Sequence, residues 1–196
     1  NHGITLVPGD CVYVDLNADG EINSNDATRD IGYTDMPEYT AGLNTGFSWK
    51  NFDFSMQWTG AWNVDRMLDE FRRPLGDTNE KGLLLYQYDT TWRSSADTFT
   101  AKFPRTSSLH ASNNYAGSDL YLINASYLRL KSVEIGYNFN FPFMKKLKMD
   151  NCRLYVNGYN LITITGFKWG DPESRQSSRP NYPLTRVFNI GLKLGF

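Results

Sequence analysis

From Thr185 onward the chain alternates. Phe188, Ile190, Leu192, Leu194 and Phe196 fall on one parity, and Thr185, Asn189, Gly191, Lys193 and Gly195 on the other. A side-chain period of two is that of a β-strand with one apolar and one polar face. The same rhythm occurs earlier. Ala41, Leu43, Phe47 and Trp49 alternate with Gly42, Asn44, Gly46 and Ser48, and Phe52, Phe54, Met56 and Trp58 alternate with Asp53, Ser55, Gln57 and Thr59. Only Lys50-Asn51 separates these two runs, which predicts a hairpin. A further strand is expected over residues 127–139, where Val133, Ile135, Tyr137 and Phe139 share a parity that Leu128 and Leu130 do not. A bulge between the two sets, or a strand that rises out of the membrane, would account for the switch. Residues 152–165 read as another strand through Leu154 and Val156, and 185–196 as the last, about five in all.

The segments between the strands are unequal. Lys50-Asn51 and the Lys-rich stretch 141–151 are short turns, whereas 1–37, 63–126 and 166–183 are long and polar, with a short helix expected near 80–92. A structureless loop as long as 63–126 argues against a compact soluble domain. Short turns at one end and long loops at the other are the asymmetry of outer-membrane barrels. On that map Phe196 and the short turns are periplasmic. The 1–39 and 63–126 segments are extracellular, and Cys11 and Cys152 lie at opposite ends, too far apart for a disulfide.

Composition narrows the classes. Twenty basic against 21 acidic residues give a net charge of −1 with no basic block, so nothing points to nucleic acid. Mean hydropathy is −0.50 and no run approaches the roughly 18 apolar residues of a membrane helix, which leaves barrels open. Aromatic residues are 15% of the chain, a content that suits strands and the interfacial girdles of a barrel. The first residues lack a basic region followed by a long apolar run, so the chain reads as a processed or fragmentary one.

One segment carries chemistry. Asp15, Asn17 and Asp19 occupy places one, three and five of a twelve-residue calcium-type loop. Gly20 permits the turn at place six, Glu21 offers a carbonyl at seven, Asn23 stands at nine and Asp26 closes at twelve. Hard oxygen donors at this spacing suit calcium in a structural role, with Ile22 anchoring the loop. The closing Asp has a shorter arm than the usual Glu, and helices of an EF-hand are not expected on either side. The alternative is an Asx-rich turn that satisfies itself. Catalytic signals are weak. His2 and His110 read as packing or surface residues, and Asp69/Glu70 and Asp171/Glu173 read as solvated loop charges. No nucleophile elbow is present. Trp62, Trp92 and Trp169 read as girdle or loop-packing residues rather than ligand platforms. The chain is not expected to be an enzyme.

As an ordered set, several pieces resemble the C-terminal region of the SusC/RagA-type TonB-dependent outer-membrane transporters of Bacteroidetes. They are Gly9-Asp10 with the Asp15–Asp26 loop, Ile31-Gly32, residues 37–44, Phe52-Asp53-Phe54-Ser55, residues 127–131 and Gly136-Tyr137. The set continues with residues 153–156, Asn160-Leu161, Asp171-Pro172-Glu173, Tyr182-Pro183 and residues 186–196. Residues 63–126 match least. The resemblance implies an all-β fold: part of a 22-stranded antiparallel transmembrane barrel with an N-terminal plug and long extracellular loops, in the cell outer membrane. It further implies TonB-coupled import of glycans or peptides beneath a SusD-like surface lipoprotein. The partners expected are the remaining barrel and plug segments, that lipoprotein, TonB and the lipid bilayer. Five strands cannot close such a barrel. The alternative class is a secreted, calcium-stabilised β-sandwich that binds carbohydrate.

Overall fold

A computed structural model describes residues 4–69, 72, 84–142, 148–174 and 184–196. By contact these fall into two units, 1–32 with 66–123 and 33–65 with 124–196.

The second unit contains a five-stranded antiparallel sheet. Its strands are β1 (Tyr39–Trp49), β2 (Phe52–Trp62), β5 (Tyr127–Phe139), β6 (Asn151–Thr165) and β7 (Val187–Gly195), in the order β1-β2-β5-β6-β7. Sequence neighbours within the sheet are also spatial neighbours, so this is a meander. The hairpin at Lys50-Asn51 is formed, with Lys50 at φ 54. A second sheet pairs the short β3 (Asp65–Met67) with β4 (Leu122–Asn124).

The parity switch in β5 is a bulge at Lys131. The register runs Gln57↔Ser132 and then Trp58↔Leu130, and on the other side Ser132↔Tyr159 and Leu130↔Ile162. Lys131 is the unpaired extra residue, so Leu128 and Leu130 join the face of Val133 and Ile135 despite their opposite parity. Asn160, at φ 53, takes up the matching irregularity in β6.

The first unit includes most of the segment read from sequence as a loop. It holds α1 (Leu85–Thr90), α2 (Ala111–Asn114) and several single 3₁₀ turns. The helix expected near 80–92 is α1, and residues 80–83 lie outside the described set, as do His2, Glu70, 143–147 and 175–183 of the expected loops and turns. This segment has a core of its own: Leu68, Tyr115, Tyr121, Asn113 and Asn114 are buried. Tyr121 donates to the Asn114 carbonyl (2.6 Å) and stacks on Phe103, while Tyr13 donates to the Asn113 carbonyl (2.6 Å). Burial pushes the Tyr13 phenol up to about 12. The alternation rule finds none of this, because short turns packed through side-chain amides have no period.

Candidate functional site

Cross-strand partners share a face, so the register sorts the whole sheet into two surfaces. One surface holds Leu43, Phe47, Trp49, Phe54, Met56, Trp58, Leu128, Leu130, Ile135, Tyr137, Leu154, Val156, Ile162, Ile164, Phe188, Ile190, Leu192 and Leu194. It is apolar across all five strands, and much of it is exposed: Phe47 is 57% accessible, Phe188 72% and Ile190 77%. Aromatic rings gather at the hairpin end, where Phe47 lies 5.4 Å from Phe54, Tyr137 4.9 Å from Phe139, and Phe139 5.3 Å from Phe141. Trp62 marks the far end and lies across Gly60, where no Cβ blocks it. Ten residue steps separate Phe52 from Trp62, about 33 Å along the strand at about 3.3 Å per residue. At a barrel tilt of about 40° that is about 25 Å of height, the thickness of an outer-membrane apolar band.

The opposite surface is polar and internally paired. Arg153 bonds Asp53 through two nitrogens and Glu134 at 2.7 Å. Asn157 bonds Glu134 (3.2 Å) and receives Asn189 (2.9 Å), and Asn138 reaches Asp53. Glycine makes room for this layer. A Cβ on Gly136 would fall 2.4 Å from the Arg153 guanidinium, and one on Gly191 would fall 2.3 Å from the Tyr155 ring. Tyr155 therefore reaches over Gly191 of β7, with Arg153 5.2 Å from its ring centroid.

Asp171 and Glu173 are not the solvated loop charges their sequence position suggests. Both pair with Arg129 on the polar surface (2.8 and 2.7 Å), and Asp171 is mostly buried. No rule of local spacing connects residues more than forty apart. Trp62 fits the girdle reading. Trp92 packs its ring against Gly9 in the first unit, which agrees with loop packing, and Trp169 is half-buried.

The calcium-type loop lies in the first unit. Asp15 Oδ2 accepts the Gly20 N–H (2.8 Å), tying place one to place six, and Gly20 has φ +85. Asp19 accepts the Glu21 N–H (2.8 Å) and the Asn17 amide (2.9 Å), and Asn17 accepts the Asp19 N–H. Asp26 folds back over the loop, with Oδ1 accepting from Leu16 (2.8 Å) and Oδ2 from Asn23 (2.8 Å). These bonds, that of Asn23 first, hold the Asp26 carboxyl below its usual range, and the Asp15 carboxylate is among its polar contacts. Asp15 Oδ1 is buried with no hydrogen-bond partner among the described residues. Three or more His, Cys, Asp or Glu side chains do not converge anywhere among those residues. A cation at this loop would therefore draw on Asp15 and Asp26 together with amide and carbonyl oxygens from Asn17, Asn23 and Glu21. Ile22 is half-buried, as an anchor would be.

A second polar cluster in the same unit centres on Asp10, whose side chain is fully enclosed. It accepts from Val7 N–H (3.0 Å), Asn114 (2.9 Å), Arg105 Nε (2.7 Å) and His110 Nδ1 (2.6 Å). Burial alone would raise its pKa, but these four donors outweigh it and hold the carboxyl far below the usual range. The cluster pins residues 7–11 to 105–114. Cys11 and Cys152 are both free thiols.

No family model matches the chain. It is similar to the TonB-dependent receptor P3 of Formosa agariphila, at 30% identity over 206 residues covering 96% of this chain and 19% of that protein. It is also similar to the TonB-dependent receptor SusC of Bacteroides thetaiotaomicron, at 28% identity over 191 residues covering 96% and 18%. Among solved structures, the RagAB peptide transporter shares its fold with a TM-score of 0.63 at 21% identity, over 84% of this chain and 18% of that one. The RagAB peptide importer in its closed-closed state does so at 0.66 and 20%, over 91% and 20%. The chain spans about a fifth of the length of the curated relatives it matches. Sequence likeness over nearly the whole chain and a shared fold agree with the two-faced sheet: the chain is similar to a five-stranded segment of the barrel of TonB-dependent outer-membrane receptors of the SusC/RagA type.

Proposed function

We propose that this segment forms part of the wall of an energy-coupled importer of glycans or peptides that works beneath a SusD-like surface lipoprotein. TonB would act through parts of the receptor outside this chain. The role is passage and not catalysis. The observation that carries the reading is the division of the sheet, with exposed apolar side chains on one surface of all five strands and paired polar ones on the other. A carbohydrate-binding sandwich would need the apolar surface packed in a core, yet Phe188 and Ile190 are largely exposed. On this reading the apolar surface meets lipid and the polar surface lines the lumen. The long segments 1–39 and 63–126 are extracellular, and the edges of β1 and β7 pair with other strands of the same barrel, since open edges in hydrocarbon would leave backbone groups unsatisfied. Detergent dependence tests it. The chain is expected to require detergent or partner strands to stay monodisperse, and a monodisperse chain in plain buffer overturns the reading.

We further propose that the Asp15–Asp26 loop holds a calcium ion in a structural role. Asp15 Oδ1, buried without a donor, and the adjacent Asp26 carboxylate support it, because a cation between neighbouring carboxylates relieves their mutual repulsion. The ion would supply positive charge that locks the loop closed. Calcium titration of the complete receptor, read by protection of this loop from protease, is expected to saturate and to fail in Asp15→Ala. Equal protection with and without millimolar calcium overturns it.

A further inference from the structure

Arg129 lies on the polar surface of β5, opposite Thr59 and Thr163. Its side chain is 3% exposed and all three of its nitrogens are engaged: Nε donates to Thr163 Oγ1 (3.0 Å), Nη2 to Asp171 Oδ1 (2.8 Å) and Nη1 to Glu173 Oε2 (2.7 Å). Lys131 adds bonds to both Glu173 oxygens, at 3.1 and 3.2 Å. Two cations two residues apart thus face two carboxylates two residues apart, and the charges balance. The bulge contributes to this arrangement, since it leaves Lys131 outside the ladder and free to reach Glu173.

The carboxylates belong to a segment with further anchors. Phe167 is buried, and its N–H donates to Thr165 Oγ1 (3.1 Å), whose hydroxyl donates to the Ser126 carbonyl (2.8 Å). Asp171 also sets its own turn, accepting the Glu173 N–H at Oδ1 (2.8 Å) and the Ser174 N–H at its carbonyl (3.0 Å). Lifting this segment would strip a buried guanidinium of two of its three partners, which is strongly unfavourable.

We propose that residues 166–174 are a strap locked onto the polar surface by Arg129, with Arg129 as its positioning residue. The inference rests on the barrel reading. On that reading the strap is a fixed part of the lining at the outer mouth, where substrate meets it, and not a free extracellular loop.

Trypsin acting on the complete receptor in outer-membrane vesicles tests this at Lys168, which is exposed within the strap. Cleavage needs local opening, so the native receptor is expected to resist. Arg129→Gln is expected to raise the rate of cleavage at Lys168 at least tenfold, and Arg129→Lys, which keeps the charge but not the fork, by less. Adding Asp171→Asn to Arg129→Gln is expected to change little, since the pair has already been broken. Rapid cleavage of the native receptor at Lys168, no effect of Arg129→Gln, or fully additive effects each overturn the strap. Heat-modifiable migration on gels reports the barrel separately, so loss of the barrel reading is distinguishable from loss of the strap. If Arg129→Gln abolishes that migration, the loop variants Asp171→Asn and Glu173→Gln carry the test, with faster cleavage supporting the strap and unchanged cleavage overturning it.

Discussion

Three arginine substitutions on β7 separate a lipid-facing strand from a core strand. Phe188 pairs with Gly158, which pairs with Val133, which pairs with Met56. Phe188 lies six residues along β7 from Leu194, about 15 Å further from the turns at about 3.3 Å per residue and a tilt of about 40°, so it sits well inside the apolar band. Leu194 is opposite Cys152 beside the turns, at the rim of the band. Asn189 neighbours Phe188 but points to the polar surface. A lipid-facing Arg costs about 2–4 kcal/mol at the bilayer midplane and about 0–1 near the interfaces. Phe188→Arg in the complete receptor is therefore expected to lose about 2–4 kcal/mol, Leu194→Arg about 1 or less, and Asn189→Arg about 1 or less because its side chain stays in water. The assay is guanidinium unfolding in bilayers, read by heat-modifiable migration and protease resistance. Equal losses at Phe188 and Leu194, or a loss at Asn189 as large as at Phe188, would refute the assignment of faces and depth.

Other outcomes follow from the same geometry. Gly191→Ala is expected to cost on the order of 1 kcal/mol by displacing Tyr155, and the penalty is expected to vanish in a Tyr155→Ala background; double-mutant unfolding measures it. Asp10→Asn keeps the shape but leaves Arg105 and His110 without their anion, so the 7–11 and 105–114 segments are expected to exchange amide hydrogens at least tenfold faster, and unchanged protection would count against the cluster. For pH, the folded Asp10 carboxyl lies below its unfolded value of about 3.9, so its stabilisation is fully present above that value. It is lost as pH falls through the folded pKa. Amide exchange in these segments is expected to show no Asp10-dependent loosening between pH 7 and 4, and a transition that disappears in Asp10→Asn only under stronger acid.

Much of the sheet was legible because strands announce themselves by period. The alternations around Phe54, Ile135, Val156 and Ile190 set both faces, and the clash between Leu130 and Val133 located the bulge within one residue of Lys131. Lys50-Asn51 set the hairpin. What escaped was long-range. Arg129 and the Asp171-Pro172-Glu173 turn each look like ordinary surface charge, and only the register of β5 against β6 brings them together. The enclosed Asp10, more than ninety residues from Arg105 and His110, is invisible for the same reason. The core of the first unit escaped because Asn113 and Asn114 do work that apolar residues usually do: their amides satisfy buried backbone groups, and hydrophobic pattern has no sign for that. In the Asp15–Asp26 segment the Gly20 N–H bonds Asp15, a contact that a calcium-type loop and a self-satisfied Asx-rich turn share.

The central claim is that one surface of this sheet faces lipid and the other faces water. It is tested most directly by nitroxide labels placed singly at positions 187–194 of the complete receptor in bilayers, with collisional access measured to oxygen and to a water-soluble nickel chelate. The account predicts strict alternation: 188, 190, 192 and 194 favour oxygen, while 187, 189, 191 and 193 favour the chelate. Chelate access at 188 and 190, or protection of both parities from both reagents as in a packed soluble core, would contradict it.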